Sequence, residues 1–556
     1  MIILLVVGAI IYSTTLFNNF VWDTIPQIVE NPDVHTLNLK RIFTSSAAFP
    51  GITNPLNYYY KPVMYAIFAL VYVFFQENPL GYHLVQIAFH ISNAVMVLFV
   101  FRKWFKPNLS LVLALIFLVH PLNYESVGYI SALQDTLFLF FGLIALLLVM
   151  YENGRHTVLR YASISILLLL SLLSKETGVL CIGAVGLYIW IFGKKGQMGR
   201  LIGATMFAAA TYALLRYISA FDHYGYLTES AIMKASLWER VAAIPALFRY
   251  YIFTFIAPVQ LGIDQQWTVT GFSLFDAFVL LVITGHVALI GYALFGAKKT
   301  IPHRKELLFF TGLFFAGVLL HAHIIMAIDM TVADRWFYFP MIGLLGLVGL
   351  GFEKLKLNHT VALAIAIIAI GLFSVRTFAR SMNWTDMETL YEHDLRHQPD
   401  NYHLANKYGA ELLSHGEFDT AETVLKHAHK VNPNYGAVNN NLGYIYHVRG
   451  DYALARTHFE KAIAAQDFSE RDNAAIALSR IELFQFDRPE RAKQITKDML
   501  KSYPKDRDLL YALAMAEYAL GNRKEALNIA QKLQSDLSSE QVKKLIYAIE
   551  NNLPVK

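Results

Sequence analysis

The chain has 556 residues, of which 55% are hydrophobic, and its mean hydropathy is positive. This apolar content exceeds what a soluble domain needs for its core, and the net charge of +5 reflects loop lysines and arginines rather than a nucleic-acid-binding face. The single cysteine, Cys181, excludes a disulfide framework and a cysteine-based metal site within this sequence.

Charge is distributed unevenly along the chain. Of the 47 basic and 42 acidic residues, 23 and 25 respectively lie from Arg380 onward. The earlier part is therefore solvated by lipid and the later part by water. We predict an all-α protein in which residues 1–380 form a polytopic membrane helix bundle, 381–401 a connector and 402–556 a soluble helical domain.

Apolar runs predict about eleven membrane spans, since a bilayer requires roughly 20 residues per helix. The first run lacks a basic start and a small-residue cleavage site, so we interpret it as an uncleaved signal anchor. The runs are 1–18, 83–101, 107–121, 134–151, 158–173, 177–193, 199–218, 272–296, 306–328, 336–353 and 360–378.

Two further apolar stretches, 62–76 and 241–258, are assigned by the positive-inside rule. If neither stretch spans, every basic cluster between spans falls on the cytoplasmic side. Both are therefore predicted to lie at the outer surface, where Lys61 suits the interface. The N-terminus is then cytoplasmic, the first outer loop covers 19–82, and the soluble domain lies outside an inner or plasma membrane.

The soluble domain repeats with a period near 34 residues. Small residues recur at Ala421, Ala455, Ala492 and Ala526, and Arg480 is placed where the third unit would have its usual glycine. The pattern resembles tetratricopeptide repeats and predicts about four of them over 402–534, followed by a capping helix. Such arrays dock proteins or peptides, although a rigid spacer is the alternative.

Polar residues of the membrane part gather at the predicted outer ends of helices. Transporters carry charges midway through their helices or show internal repeats, and neither feature is evident here. The clustering predicts one outward-facing active site, whereas the alternative is that outer loops only need charge to stay hydrated. The residues are Asp23, Glu125, Asp135, Lys175, Glu176, Asp329, Asp334 and Arg335.

Five segments in order resemble the transmembrane and tetratricopeptide repeat-containing O-mannosyltransferases and their bacterial relatives, in the GT-C superfamily. The resemblance covers nearly the whole chain. The segments are Phe17-Asn-Asn-Phe20-Val-Trp-Asp23 with Asn31-Pro-Asp33, Gly81-Tyr-His83 through His90, His120-Pro-Leu-Asn-Tyr-Glu125-Ser-Val, Leu173-Ser-Lys175-Glu176, and Ala333-Asp334-Arg335-Trp-Phe-Tyr338-Phe-Pro340.

The resemblance implies an inverting glycosyltransferase that moves a sugar from a polyprenyl-phosphate carrier to an acceptor, outside the cytoplasm. Asp23 is then the expected base for the acceptor hydroxyl, and Lys175 and Arg335 are expected to hold the donor phosphate. Glu125, His120 and Asp135 are expected to orient the acceptor or the site. Further site candidates are Glu176, Asp334, Tyr338, His83 and His90.

Three departures from the family pattern affect these expectations. Thr24 replaces a second acidic residue, Leu133 replaces an arginine, and Asn123 stands where many members have a histidine. No metal ligands are predicted and no cofactor is specified, although a divalent metal is left open. The expected partners are a lipid-linked sugar, the bilayer and a protein acceptor docked on the repeats. Alternatives are a glycan or lipid acceptor, or a non-catalytic scaffold that assembles envelope proteins.

Overall fold

A computed structural model describes residues 1–44, 60–152, 157–219, 230–267, 303–355, 358–465, 471–536 and 540–554, with scattered positions between 274 and 285. The regular secondary structure of the described residues is helical, apart from one isolated antiparallel bridge between Gln265 and Val332. They divide into two compact units, Met1–His397 and Gln398–Lys556. The all-α fold class predicted from the sequence is confirmed.

The first unit is a bundle of apolar helices. Several begin with proline at their first turn, where the missing N–H group is not needed for a helical hydrogen bond. The α-helices of at least ten residues are Ile2–Ile11, Pro62–Phe75, Pro79–Phe101, Pro107–Val119, Leu133–Met150, Thr157–Ser174, Val179–Phe192, Gln197–Ser219, Ile244–Ile256, Arg304–Leu320, Pro340–Leu355, His359–Met382 and Met387–His397.

Shorter helical segments connect these helices, mostly where the chain turns at the end of the bundle. They include a π-helix, Ile25–Val29, which begins two residues after Asp23. The short α-helices are Pro32–His35, Leu39–Thr44, Tyr124–Gly128, Ala231–Lys234 and Leu237–Ala242, and the 3₁₀ turns are Thr14–Phe17, Pro121–Asn123, Ile130–Ala132, Glu176–Gly178 and Asp334–Phe337.

Five helices in the described part of the chain are long and apolar enough to cross a membrane, or six if the bent pair Pro107–Val119 and Pro121–Gly128 forms one span. The eleven-span count stays a prediction, and span 272–296 lies mostly outside the described residues. The helices Pro62–Phe75 and Ile244–Ile256 have 14 and 13 residues, and because Val179–Phe192, in a predicted span, also has only 14, their surface position stays a prediction.

Two predicted spans are longer than the helices found within them. The run 306–328 is wrong at its end, because the helix stops at Leu320 and the chain turns at His321. Further along, the backbone N–H of Thr331 donates to the carbonyl of Gln265 over 2.9 Å, so the segment after the helix is a loop that pairs with the loop around Gln265. The first run is helical only over Ile2–Ile11 and continues as a 3₁₀ turn.

Small residues allow close helix contacts within the bundle. A Cβ atom added at Gly343 would lie 2.5 Å from the backbone nitrogen of Phe314, so only glycine permits this approach of two helices. Gly346 lies against the Phe310 ring in the same way. These contacts position Pro340–Leu355, the helix that follows the predicted Asp334-Arg335 motif.

The predicted connector contains a helix that packs with the first unit. Arg380 binds both carboxylate oxygens of Asp394, at 2.8 and 3.3 Å, and both side chains are buried. Burial alone would raise the pKa of Asp394, but the charge of Arg380 holds that pKa at about 2. The Asp394 carboxylate also accepts the backbone N–H of Ile263 over 2.8 Å, which fixes the loop after helix Ile244–Ile256.

The second unit consists of antiparallel helix pairs, and among the residues that the structure describes there are four pairs and one terminal helix. This arrangement agrees with the tetratricopeptide pattern read from the sequence. The helices are Tyr402–Ser414, Phe418–Val431, Gly436–Val448, Tyr452–Ala464, Arg471–Phe484, Pro489–Leu500, Arg507–Ala519, Arg523–Asp536 and Glu540–Glu550.

The turn inside the third pair corrects one sequence assignment. In three pairs the two helices are joined by a glycine with φ near +80°. In each of them, the residue before the second helix donates its backbone N–H to a carbonyl five residues earlier. In the third pair Asp487 has the left-handed conformation, and the backbone N–H of Arg488 donates to the carbonyl of Glu482, six residues earlier. This one-residue insertion places buried Ser479 at the small-residue position, whereas Arg480 is exposed.

Candidate functional site

The loop after the first helix is tied to the end of the long helix His359–Met382 and to the turn that follows it. The Asn18 side chain donates to the Ser381 carbonyl over 3.1 Å, and the Asn19 backbone N–H donates to the Thr385 carbonyl over 2.8 Å. Asp23 follows in this anchored segment and is exposed to solvent. Its carboxylate is therefore open to a substrate while its backbone is held in place.

Tyr129 lies beside Asp23 on the buried side of the loop. Burial raises the pKa of the Tyr129 hydroxyl, and the negative charge of Asp23 raises it further, while Arg335 opposes the change. The three groups thus lie within electrostatic range of one another. Trp22 packs against Tyr129, with ring centroids 6.1 Å apart and planes inclined by 29°.

Arg335 and Glu125 form an ion pair between two loops that are distant in the sequence. The Arg335 guanidinium donates to Glu125 Oε1, and the Arg335 backbone N–H donates to Oε2 over 3.0 Å. The side chains are only 15% and 3% exposed. Double binding of one carboxylate fixes the guanidinium, because a buried unpaired charge would be costly.

Asp334, next to Arg335, makes a different contact. It accepts a hydrogen bond of 2.6 Å from the hydroxyl of Tyr250, on the predicted surface helix Ile244–Ile256. Burial, and then the negative charge of Glu125, raise the pKa of Asp334 well above its usual range, although the Tyr250 hydrogen bond acts in the opposite direction. Asp334 therefore joins the surface helix to the cluster.

Lys175 and Asp135 form a second ion pair at 2.6 Å, with side chains 11% and 2% exposed. Asp135 lies in the first turn of Leu133–Met150, and Lys175 follows directly after Thr157–Ser174. Asp135 is also within electrostatic range of Arg335. The two ion pairs therefore belong to one cluster.

Lys61 is a member of the cluster that the sequence did not identify. Its side chain is buried and lies within electrostatic range of Glu176, Lys175, Asp135 and Asp23. Burial lowers the pKa of Lys61 to about 8, despite the nearby carboxylates. A lysine before an apolar helix normally extends its charge into water, so the local sequence predicted an interfacial residue instead.

The predicted site residues thus separate into two groups. Those that the structure brings together, with Lys61 added, are Asp23, Glu125, Asp135, Lys175, Glu176, Asp334 and Arg335. They come from loops far apart in the chain. Their proximity agrees with the prediction of one shared site, while their individual chemical roles stay predictions.

The three histidines and Tyr338 occupy packing positions. His120 uses both ring nitrogens for backbone groups, Nδ1 accepting from Leu122 N–H at 3.2 Å and Nε2 contacting the Phe255 carbonyl at 2.9 Å. His90 contacts the Tyr338 hydroxyl at 2.7 Å inside the bundle, and His83 contacts the Asn18 carbonyl at 3.2 Å. These contacts favour a structural role over the predicted site roles.

The family departures have local structural explanations. Thr24 is fully buried and its hydroxyl lies 3.1 Å from that of Ser131, so a carboxylate here would be buried next to Asp23. Leu133 is buried in an apolar cluster with Ile28 and Val34. Asn123 donates to the Phe117 carbonyl over 2.7 Å. Each side chain suits its surroundings, and none adds a charge to the cluster.

The cluster combines an open carboxylate with buried cations whose positions are fixed. Such a site can remove a proton from a hydroxyl group and stabilise an anionic phosphate. Among the residues that the structure describes, no three His, Cys, Asp or Glu side chains are grouped in a way that would hold a metal ion.

Comparison with known proteins agrees with the motifs and repeats. The tetratricopeptide repeat family matches residues 409–470. The human protein O-mannosyl-transferase TMTC3 is 23% identical over 90% of this chain and 60% of its own length. The Caenorhabditis elegans protein O-mannosyl-transferase F38B6.6 is 25% identical, over 78% of this chain and 63% of its own.

Human protein O-mannosyl-transferase TMTC1 is 24% identical over 78% of this chain and 55% of its own. The chain thus spans about 60% of the length of the curated relatives that it matches. Among solved structures, YrrB, described as a TPR protein with an unusual peptide-binding site, matches 29% of this chain and 82% of its own, with 15% identity and a TM-score of 0.26. The resemblance predicted from the five motifs is confirmed: over most of its length, this chain is similar to protein O-mannosyl-transferases of the TMTC type.

Proposed function

We propose that this protein transfers a sugar from a polyprenyl-phosphate carrier to a hydroxyl group of a protein acceptor, on the extracytoplasmic face of the membrane. The repeats dock the acceptor on the same side, and the N-terminus is cytoplasmic. Two findings support the proposal: the charged cluster formed by loops from distant parts of the chain, and the protein O-mannosyl-transferase names of the relatives.

In the proposed reaction, Asp23 accepts the proton of the acceptor hydroxyl as its oxygen attacks the anomeric carbon. A bond forms between these atoms while the bond from the anomeric carbon to the phosphate oxygen breaks. The carrier leaves as polyprenyl phosphate, and a single displacement inverts the anomeric centre. The leaving group is already stable as an anion, so positive charge around it contributes more than a second acid.

Lys61, Lys175 and Arg335 supply that positive charge. Because Asp135 and Glu125 bind the latter two cations, these carboxylates position the cations rather than take the acceptor proton. Preorganised charges require little rearrangement when the phosphate separates from the sugar. Glu176 is exposed near Lys61 and adds a negative charge at the edge of the cluster.

The observation that carries the proposal is the position of Asp23. It is an exposed carboxylate beside buried cations, and its loop is anchored by the backbone contact of Asn19. A base must reach its substrate from a fixed position, and this geometry meets both requirements.

The test is Asp23→Asn in the full chain, purified and supplied with donor and acceptor. Loss of a positioned base is expected to reduce turnover about a hundredfold or more, while donor binding stays within about twofold of wild type. Glu30→Gln, which removes an exposed carboxylate further along the same loop, is the matched control and should retain turnover. Adding EDTA tests whether a divalent cation takes part.

Normal transfer by Asp23→Asn would remove this residue from the mechanism. A non-catalytic scaffold would instead show no transfer by the wild-type chain with any lipid-linked sugar, and would retain its cellular role after Asp23 substitution. The same assay with protein, glycan and lipid acceptors distinguishes the protein glycosyltransferase from an enzyme that modifies another class of acceptor.

A further inference from the structure

Trp22, directly before Asp23, has an unusual backbone conformation. Its φ is +53°, in the left-handed region that residues with a Cβ atom rarely adopt. Thr24 donates its backbone N–H to the Val21 carbonyl over 3.2 Å, so Trp22 occupies the second position of a tight turn. Glycine or asparagine is usual at turn positions with positive φ. The tryptophan is therefore present despite an unfavourable backbone.

The surroundings maintain this strained turn. Val21 and Thr24 are buried on either side of it, and the Asn19 backbone is bonded to Thr385. A π-helix begins directly after the turn, at Ile25. Left-handed backbone at bulky residues and π-helical turns are both enriched at functional sites, where the surrounding structure holds a strained conformation in place.

The Trp22 ring lies at the edge of the charged cluster. One side packs on Tyr129, whose hydroxyl is within electrostatic range of both Asp23 and Arg335. The ring is only partly buried, and the exposed Asp23 follows it in the chain. An apolar surface thus adjoins the proposed base. A tryptophan that only anchors the protein at the membrane interface would need no left-handed turn.

We propose that Trp22 is the platform on which the hexopyranose ring of the donor packs. One face of a pyranose presents C–H groups of slight positive charge, and an aromatic face carries the complementary negative charge. Stacking there would hold the anomeric carbon near Asp23 while the cations hold the phosphate. This inference rests on the proposed function and adds a sugar-binding subsite to it.

The test compares two ligands on the full chain in lipid nanodiscs: a polyprenyl-phosphate hexose and the same polyprenyl phosphate without sugar. Trp22→Ala should weaken binding of the hexose ligand by about three- to tenfold, the usual scale of an aromatic contact. Binding of the sugar-free ligand should not change. Trp190→Ala is the control, since Trp190 is 60% exposed on the helix Val179–Phe192, and it should bind both ligands as wild type does.

Trp22→Gly separates the role of the ring from that of the turn. Glycine accepts positive φ, so this variant should unfold at a higher temperature than Trp22→Ala, by only about 1 °C because the unfolding entropy of the large Met1–His397 unit is high. It should nevertheless lose the same hexose affinity. Trp22→Tyr should recover most of that affinity.

Three results would overturn the subsite: unchanged hexose binding in Trp22→Ala and Trp22→Gly, equal weakening for both ligands, or a loss confined to acceptor binding. Failure of the proposed function gives a different result, because the wild-type chain would then not prefer the hexose ligand and would not transfer its sugar. If the wild type transfers sugar and the Trp22 variants keep the preference for the hexose ligand, only the Trp22 subsite is rejected.

Discussion

Lys61 provides the sharpest test of the proposal that the charged cluster binds a lipid-linked donor. Lys61→Gln removes the charge from a buried position surrounded by Asp23, Asp135 and Glu176. A hydrogen bond between charged groups contributes about 1.5–3 kcal/mol, so the dissociation constant for the lipid-linked sugar should rise by about ten- to a hundredfold. Lys40→Gln is the matched control, because Lys40 is an exposed lysine of the same predicted outer loop, 19–82.

The lowered pKa of Lys61 makes the prediction specific. With a pKa of about 8, about nine in ten Lys61 side chains are charged at pH 7 and about one in ten at pH 9. The donor is a phosphodiester whose charge is constant over this range. Donor affinity of the wild type should therefore be level below about pH 7, be about halved at pH 8 and be about tenfold lower by pH 9. Lys61→Arg keeps its charge and should show no such fall.

Unfolding of the protein does not account for the fall in donor affinity at alkaline pH. The pKa of Lys61 is lower in the folded chain than in the unfolded chain, so between about pH 8 and pH 10 the unfolded state binds more protons. The contribution of Lys61 to stability therefore rises with pH in this window. Equilibrium binding to fluorescent donor, measured with a thermal unfolding curve at each pH, separates the two effects. An identical alkaline fall in Lys61→Arg, or wild-type affinity in Lys61→Gln, would refute the reasoning.

Further predictions concern the ion pair, the repeats and the topology. Glu125→Gln leaves Arg335 buried without its charged partner, which should cost about 3–5 kcal/mol and lower the thermal midpoint, whereas replacing both residues should cost less than the sum of the single changes. Gly443→Leu should destabilise the repeats by typically 1–3 kcal/mol and lower their unfolding temperature, because a Cβ atom there would lie 2.8 Å from the Phe459 ring. An unchanged melting curve measured by circular dichroism would contradict this packing. Reporter fusions should be cytoplasmic after Lys103, Lys195, Lys299 and Lys356 and external after Ser219, Asp264 and Asn401, and a cytoplasmic Asn401 would separate the repeats from the proposed site.

The sequence identified the parts of this protein whose signals are local. Charged residues are rare in an apolar chain, so Asp135, Lys175 and Arg335 were conspicuous at helix ends. The apolar runs predicted most of the long helices, and the 34-residue period predicted the repeat pairs and the terminal helix. These features depend on residue type and spacing along one segment, which a sequence states directly.

Burial and partner choice were decided only by the tertiary structure. Glu125 and Arg335 are 210 positions apart, so no local pattern indicated that they bind each other. Lys61 resembled an interfacial lysine until loops from elsewhere enclosed it, and His120 resembled a site residue until both nitrogens met backbone groups. The segment after the turn at His321 likewise pairs with a distant part of the chain, since Thr331 bonds to Gln265. The sequence gives the chemical type of each residue. Its exposure to solvent and its charged neighbours are set only when distant parts of the chain fold together.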